Sequence, residues 1–147
     1  MIEKTCFFIG NRNTPSSIKE QLAEVVEKHI TEYNVNTFVV GHYGSFDRLA
    51  AEVLKEAKNY HPNIKLYLLE PYALSQKIET PDGFNGTFYP EGLEFVPKPF
   101  AIVRANRYMI EHSEYLISYC EKIGNTRKFV EYAQKQEKKG LIRVTLL

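Results

Sequence analysis

Short apolar runs alternate with amphipathic helical patterns along most of this chain, and that alternation restricts its fold more than any other feature. Strands are predicted at Thr5–Ile9, Thr37–Val40, Ile64–Leu69, Tyr115–Cys120 and Leu141–Leu147. Helical spacing predicts helices over about 16–32, after Ser45, over about 100–113, and between Thr126 and Gly140. Strands that alternate with helices predict an α/β fold, a Rossmann-like three-layer sandwich with a mainly parallel sheet.

Several residues are placed where helices begin and end. Ser17 and Glu20 have the spacing of a capping box at the start of the first helix. Ser45 is predicted to cap the second helix, and Gly140 is predicted as the C-cap of the last one.

The region of about 71–99 is rich in proline and too long for a plain connector, so we expect an irregular excursion that covers a site. Within it, Leu93–Val96 is predicted as a short strand. The final strand is strongly apolar, which predicts an internal position in the sheet.

Composition narrows the classes of protein that fit. The 147 residues suit one domain, and 19 Lys and Arg against 18 Asp and Glu leave no basic face that would favour nucleic acid. The start of the chain does not resemble a signal peptide, and no apolar run nears the ~20 residues of a membrane helix. A cytoplasmic protein that contacts no membrane is therefore expected.

Cys6 and Cys120 lie in apolar runs and are predicted to be buried free thiols. The oligomeric state is left open, and a homo-oligomer is compatible with an apolar helix face.

Three predicted strands end in loops that carry glycine and lead into helices: Gly10–Asn13, Gly41–Ser45 and Gly124–Thr126. The carboxyl ends of parallel strands meet at one edge of a sheet, where ligands bind. Backbone N–H groups at such loops and at helix N-termini favour phosphate or carboxylate. The alternative is that glycine and asparagine serve the turns alone. Neither a dinucleotide-binding G-x-G-x-x-G nor a P-loop is present.

Arginines near these loops are candidates for phosphate contact. Arg12 follows the first strand directly, whereas Arg104 and Arg107 lie in the helix before the fifth strand. Solvated or ion-paired side chains are the alternative interpretation of Arg104 and Arg107.

Other polar and aromatic residues at the same loops admit two interpretations each. Asp47 either complements the dipole of its helix or accepts a hydrogen bond from a ribose hydroxyl. His42 is the one histidine in a candidate ligand loop. Tyr43 and Phe46 are candidates for stacking on a base, although Phe46 fits better as a core residue. No spacing of histidine, cysteine or carboxylate residues indicates a metal site.

Together these segments resemble the SLOG superfamily. The resemblance rests on Phe7-Phe-Ile-Gly-Asn-Arg12, Val40-Gly-His-Tyr-Gly-Ser-Phe-Asp-Arg-Leu-Ala-Ala-Glu52, Asn106-Arg-Tyr-Met109, Ser113-Glu-Tyr-Leu-Ile117, Gly124-Asn-Thr126 and Tyr132-Ala133. That superfamily contains the DNA-processing protein A (Smf) fold and the "lonely guy" phosphoribohydrolases, and the chain looks most like its small, stand-alone bacterial members. The resemblance implies a Rossmann-like fold and a nucleotide-derived ligand. The resemblance also implies that the ligand is contacted by Gly10, Arg12, Gly41, Gly44, Asp47, Asn106, Gly124 and Thr126.

The chain departs from the enzymes of that superfamily at three places. Their P-G-G-x-G-T-x-x-E signature ends in a catalytic glutamate, where this chain has Phe129. Asn125 stands in place of the second glycine, and Ala105 precedes Asn106, with Arg104 one place early. The departures favour ligand binding without hydrolysis.

The leading hypothesis is therefore the binding or sensing of a nucleotide or a nucleotide-derived phosphorylated small molecule. Phosphate would lie on the Gly41–Ser45 and Gly124–Thr126 loops, assisted by Arg12, with no cofactor and no metal. The residues predicted to contact the ligand are Gly10, Asn11, Arg12, Gly41, His42, Gly44, Ser45, Asp47, Arg104, Asn106, Arg107, Gly124, Asn125 and Thr126.

Two other hypotheses stay open. The first is an enzyme that cleaves or transfers the N-glycosidic bond of nucleoside monophosphates, as a phosphoribohydrolase or deoxyribosyltransferase does. Its acid would be Asp47, Glu52 or Glu70. The second is a DNA-associated or protein-interaction domain, which the balanced charge disfavours.

Overall fold

The parallel sheet predicted from the alternating pattern is present, and it has six strands. The computed structural model describes residues 3–42, 44–72, 80–121 and 123–147. Its strands are β1 (Thr5–Gly10), β2 (Thr37–Val40), β3 (Lys65–Leu69), β4 (Gly86–Phe88), β5 (Tyr115–Tyr119) and β6 (Arg143–Leu146). Its helices are α1 (Lys19–Thr31), α2 (Ser45–Ala57), α3 (Ala101–Glu111) and α4 (Asn125–Lys138). All neighbouring strands pair in parallel, in the order β4-β3-β2-β1-β5-β6.

Helices cover both faces of the sheet, which explains why its central strands are apolar throughout. On one face, α1 and α2 bury Leu22, Val26, Phe46 and Leu54 against β1, β2 and β3. On the other face, α3 and α4 bury residues such as Met109 against the alternate side chains of the same sheet. The four residues of β2 are all buried, as expected for a strand enclosed between two helical layers. The Rossmann-like α/β prediction is thus confirmed.

The strand order reverses beside β1. The chain adds β2, β3 and β4 on one side of β1 and then crosses to add β5 and β6 on the other. Connections leave β1 and β5 toward opposite faces, so a crevice opens between the carboxyl ends of these two strands. This switch point is where ligands bind in open parallel sheets.

The excursion between β3 and α3 contains a strand, but not the predicted one. Leu93–Phe95 forms a single turn of 3₁₀ helix, and the strand is Gly86–Phe88, which pairs with β3. The prediction for Leu93–Val96 is wrong because Leu93, its one deeply buried residue, packs into the core from a turn. Residues 73–79 of the excursion lie outside the described residues.

The last strand is at the edge of the sheet, so the internal position predicted for it is wrong. β6 pairs with β5 alone. Its apolar character has another cause: Val144 packs against the core on one face of the sheet, and Leu147, just beyond the strand, packs against the core on the other. Burial from two sides therefore imitates the pattern of an internal strand.

The predicted helix ends have mixed outcomes. Ser17 and Glu20 do not form a capping box: Ser16–Ile18 is a 3₁₀ turn, α1 begins at Lys19, and its N-cap residue makes no side-chain hydrogen bond. Gly140 ends α4 as predicted, with a φ of +75°. The N–H groups of Gly140 and Leu141 donate to the carbonyls of Glu137 and Gln136, the pattern of a Schellman motif.

Both cysteines are free, as predicted. Cys6 is fully buried in β1, and burial raises the pKa of its thiol, so the residue is an unreactive part of the core. Cys120 is partly buried after β5. Among the described residues no helix is both long enough and apolar enough to cross a membrane.

One buried histidine should make the stability of this fold depend on pH. The Nδ1–H of His29 donates to the carbonyl of Val25 at 2.7 Å, and its Nε2 has no hydrogen-bond partner among the described residues. Burial lowers the pKa of His29 below 6.5, with smaller contributions from Arg143 and Lys28. At a pH below the ordinary histidine pKa of about 6.5, the unfolded chain binds a proton at His29 more readily than the folded chain does. The free energy of unfolding therefore falls as the pH falls. The slope contributed by His29 reaches at most about 1.4 kcal/mol per pH unit.

The measurement is the free energy of unfolding by urea between pH 7 and pH 5. His29→Gln keeps a donor for the Val25 carbonyl but cannot titrate, so its stability should fall less steeply with acid than that of the parent chain. Equal slopes for the parent and His29→Gln would contradict this assignment.

Candidate functional site

A cleft of about 450 Å³ lies at the carboxyl edge of the sheet, above the switch point between β1 and β5. We call it the strand-end cleft. Its size is within the range of small-molecule sites. It brings together residues from all three predicted glycine loops and from α3, and those singled out by the sequence are Gly10, Asn11, Arg12, Gly41, Asp47, Asn106, Gly124, Asn125 and Thr126.

The loop after β1 is tied to the loop after β5. The N–H of Asn11 donates to the carbonyl of Tyr119 at 3.0 Å, and the side-chain oxygen of Asn11 accepts the N–H of Glu121 at 2.7 Å. Asn11 is therefore occupied in holding the rim of the cleft together. Arg12 is exposed at the same rim, and its guanidinium makes no ion pair with any described carboxylate.

In the loop between β2 and α2, Ser45 is hydrogen-bonded to the loop after β1. The N–H and hydroxyl of Ser45 both donate to the carbonyl of Arg12, each at 2.9 Å, and the Ser45 hydroxyl accepts the N–H of Thr14 at 2.6 Å. Gly44, not Ser45, is the N-cap residue of α2, so the predicted Ser45 cap is wrong. Because Ser45 is consumed by these bonds, phosphate binding through its N–H is not supported. Tyr43 lies outside the described residues.

Two of the loop glycines are required by close packing. Gly44 has a φ of +113°, and a Cβ on it would lie 2.8 Å from the Cα of Arg12. A Cβ on Gly10 would lie 2.6 Å from the Cβ of Phe46, which is buried in the core as expected. At these positions the alternative interpretation, in which glycine serves the turn and its packing, accounts for the residue.

The loop between β5 and α4 leads into the helix with the first backbone N–H groups of α4 at the cleft. Gly124 is the N-cap residue of α4, and a Cβ built on it meets no atom within 4 Å. Within the described part of the chain, the backbone N–H groups of Asn125 and Thr126 have no acceptor, whereas the Thr126 hydroxyl donates to the Gly10 carbonyl at 3.2 Å. N–H groups without an acceptor among the described residues, together with the positive end of the α4 dipole, favour an anion at this rim.

The opposite wall carries a carboxylate and an amide. Asp47 lies in the first turn of α2, and its Oδ2 would be 3.0 Å from a Cβ on Gly41, so the carboxylate rests against that loop. Asn106 reaches the cleft from α3. Arg12 and Asp47 are the charged residues among the described lining of the strand-end cleft. A cation, a carboxylate and an amide around an anion-binding rim can hold a phosphate and hydrogen-bond to hydroxyl groups.

The floor and side of the strand-end cleft are apolar, and the sequence did not single out these residues as ligand contacts. They are Phe8, Ile9, Leu69, Pro71, Ile102, Val103, Ala105 and Phe129. Only their position in the sequence could have indicated them: they stand at the ends of strands, within one helical turn before Asn106, or one turn after Asn125. Pro71 belongs to the excursion, which to that extent borders the site as expected.

Two predicted contact residues lie in a neighbouring pocket of about 310 Å³. His42 and Gly44 line this pocket beside Asp47, and Pro81 and Phe84 of the excursion close it. The Nε2 of His42 is 3.8 Å from the Oε2 of Glu70, which is buried at the end of β3. The two pockets share Asp47 and Gly41.

The remaining candidates are not brought to the strand-end cleft. Glu52 is exposed and lies 3.5 Å from the ammonium of Lys19. Arg104 is exposed on α3 and lines none of these pockets. Arg107, one turn further along α3, lies over the ring of Tyr132, 4.6 Å from its centroid. No group of three His, Cys, Asp or Glu residues that could hold a metal ion occurs in the described ranges.

Comparison with known proteins adds one relative and no family. No family model matches the chain. The chain is similar to the uncharacterized SPbeta prophage-derived protein YoqJ of Bacillus subtilis (strain 168), with 25% identity over 144 residues that cover 83% of each protein.

Proposed function

We propose that the chain binds or senses a nucleotide or a nucleotide-derived phosphorylated small molecule in the strand-end cleft. The observation that carries the proposal is the convergence, at the switch point, of the Arg12 side chain with the N–H groups of Asn125 and Thr126, which have no acceptor among the described residues. A phosphate there would receive hydrogen bonds from the start of α4 and a charge-assisted contact from Arg12.

The rest of the cleft supports a nucleoside attached to that phosphate. Asp47 and Asn106 provide an acceptor and an amide for ribose hydroxyls, while Ile9, Ile102 and Phe129 provide apolar surface for a base. A cleft with a few polar groups on an apolar lining is typical of small-molecule sites. Of the two loops that the sequence predicts to hold the phosphate, the proposal keeps Gly124–Thr126, at the start of α4, and leaves out Ser45.

A thermal-shift panel of nucleoside mono-, di- and triphosphates tests the proposal. At a free concentration 100 times its Kd, a ligand of the folded state adds about 2.7 kcal/mol of stability, which raises the melting temperature of a chain of this size by about 5–10 °C. If no nucleotide raises the melting temperature at millimolar concentration, the proposed function fails.

A matched pair of variants tests the α4 rim. Asn125→Pro removes the N–H from the first position of α4, where proline is tolerated, and should weaken nucleotide binding about tenfold. Asn125→Ala keeps the N–H and should bind nearly as the parent does. Equal affinity for the two variants would place the phosphate elsewhere.

One observation favours an enzyme as the second candidate. Asp47 places a carboxylate in the wall of the strand-end cleft, where it could stabilise the sugar cation formed as an N-glycosidic bond breaks. Chromatography of nucleoside monophosphates incubated with the protein should then show free base, and Asp47→Asn should abolish its release. Thermal shifts without base release, in the parent chain, favour the binding role.

A further inference from the structure

A second cleft of about 380 Å³ continues from the strand-end cleft between α3 and α4. We call it the side cleft. It is lined by Val103, Arg107, Asn125, Lys128, Phe129 and Tyr132. Val103, Asn125 and Phe129 also line the strand-end cleft, so the two spaces are neighbours that share a wall.

The side cleft combines flat apolar surface with positive charge. The guanidinium carbon of Arg107 lies 4.6 Å from the centroid of the Tyr132 ring, and the Tyr132 hydroxyl donates to Glu111 at 2.9 Å, which fixes the ring. Arg107 therefore presents a preorganised planar cation. Lys128 adds a second cation, and no acidic side chain occurs among the described lining residues.

Among the residues that the structure describes, these two cations have no acidic partner. Neither Arg107 nor Lys128 makes an ion pair with a described carboxylate. The whole chain carries a formal charge of only +1, so two unpaired cations around an apolar cleft are a local excess. Such a surface suits a flat aromatic group that is joined to an anion.

Of the three residues that line both clefts, Asn125, the first residue of α4, is the polar one. An anion bound to its free N–H would therefore lie between the clefts, with room for one nucleoside on either side. A nucleoside monophosphate would occupy only the strand-end cleft and leave the side cleft empty.

We propose that the side cleft is a second ligand subsite and that the ligand is of the dinucleotide class, with its linking phosphates at Asn125 and one nucleoside in each cleft. This inference rests on the proposed function. The second base stacks between Phe129 and the Arg107–Tyr132 pair, and Lys128 neutralises part of the phosphate charge.

The test compares matched probes by calorimetry: the 5′-monophosphates of adenosine, guanosine, cytidine and uridine against the corresponding symmetrical 5′,5′-dinucleoside diphosphates. Stacking of one additional base predicts that at least one dinucleotide binds about tenfold or more tightly than its monophosphate. Arg107→Gln should remove that gain and leave monophosphate affinity unchanged.

Arg104→Gln is the matched control, because Arg104 is exposed on the same helix and lines neither cleft. It should bind both classes of probe as the parent does. If a dinucleotide binds no more tightly than its monophosphate, or if Arg107→Gln behaves as Arg104→Gln does, the second subsite is refuted while the proposed function stands. If no probe of either class binds, the proposed function falls and this inference falls with it.

Discussion

Replacing Gly10 with alanine should destabilise the fold by about 3 kcal/mol, as expected for overpacking of a filled core. The added methyl group would lie 2.6 Å from the Cβ of Phe46. A change of rotamer cannot relieve this contact, because the Cβ of Phe46 is fixed by the backbone of α2. Either α2 or the end of β1 would have to move, and both border the strand-end cleft. The measurement is the midpoint of urea unfolding with its slope.

Three further variants separate the clash from other effects of the substitution. Gly124→Ala should keep the parent stability within about 0.5 kcal/mol, because a Cβ there meets no atom within 4 Å. Phe46→Ala alone should cost about 3–5 kcal/mol through the cavity it leaves. Combining Gly10→Ala with Phe46→Ala should cost less than the sum, because the ring carbons of Phe46 that crowd the added methyl group are gone and only the contact with the Cβ of residue 46 remains. Additive costs would show that Gly10 is required for another reason.

Replacing Arg12 with alanine should weaken binding of the nucleotide that gives the largest thermal shift by about 10- to 100-fold. Charge-assisted hydrogen bonds to phosphate contribute about 1.5–3 kcal/mol each. Stability should be unaffected, because the Arg12 side chain is exposed and its carbonyl, which accepts both bonds from Ser45, is retained. Calorimetry gives the affinity, and the dependence on salt should become shallower as one phosphate contact is lost.

Conservative and distant variants make this prediction specific. Arg12→Lys retains the charge without the planar fork and should lose only part of the affinity. Arg48→Ala removes an exposed arginine of α2 that lines the neighbouring pocket and not the strand-end cleft, and it should bind normally. Unchanged affinity in Arg12→Ala would mean that the phosphate is held by the α4 rim alone or lies elsewhere.

Prediction of the fold succeeded where local pattern and tertiary burial agree. The buried run Thr37–Val40 and the apolar stripe of α2 were predicted closely, since both are enclosed by the layers that their patterns imply. It failed at Gly86–Phe88, a strand of three residues too short to carry a period. The prediction of an internal position for β6 also failed. Apolar residues of this segment pack against the core on both faces of the sheet, although β6 pairs with a neighbour along one edge only.

At the candidate site, the sequence identified which loops would meet but not which of their atoms would be available. Gly10, Gly44 and Gly124 look alike in the sequence. A Cβ on Gly10 would clash with Phe46 and one on Gly44 with Arg12, whereas a Cβ on Gly124 would face open space. Arg104 and Arg107 are three residues apart on one helix, and only Arg107 stacks on Tyr132.

The sequence by itself determined the layered parallel architecture, because alternating strand and helix periods allow few ways to bury both faces of a sheet. It also determined that three loops would gather at one edge, since parallel strands all point their carboxyl ends the same way. Only the tertiary structure decided which donors stay free. Whether an N–H group is satisfied depends on acceptors distant in the chain, such as the Arg12 carbonyl that takes the N–H of Ser45, and no local pattern records them.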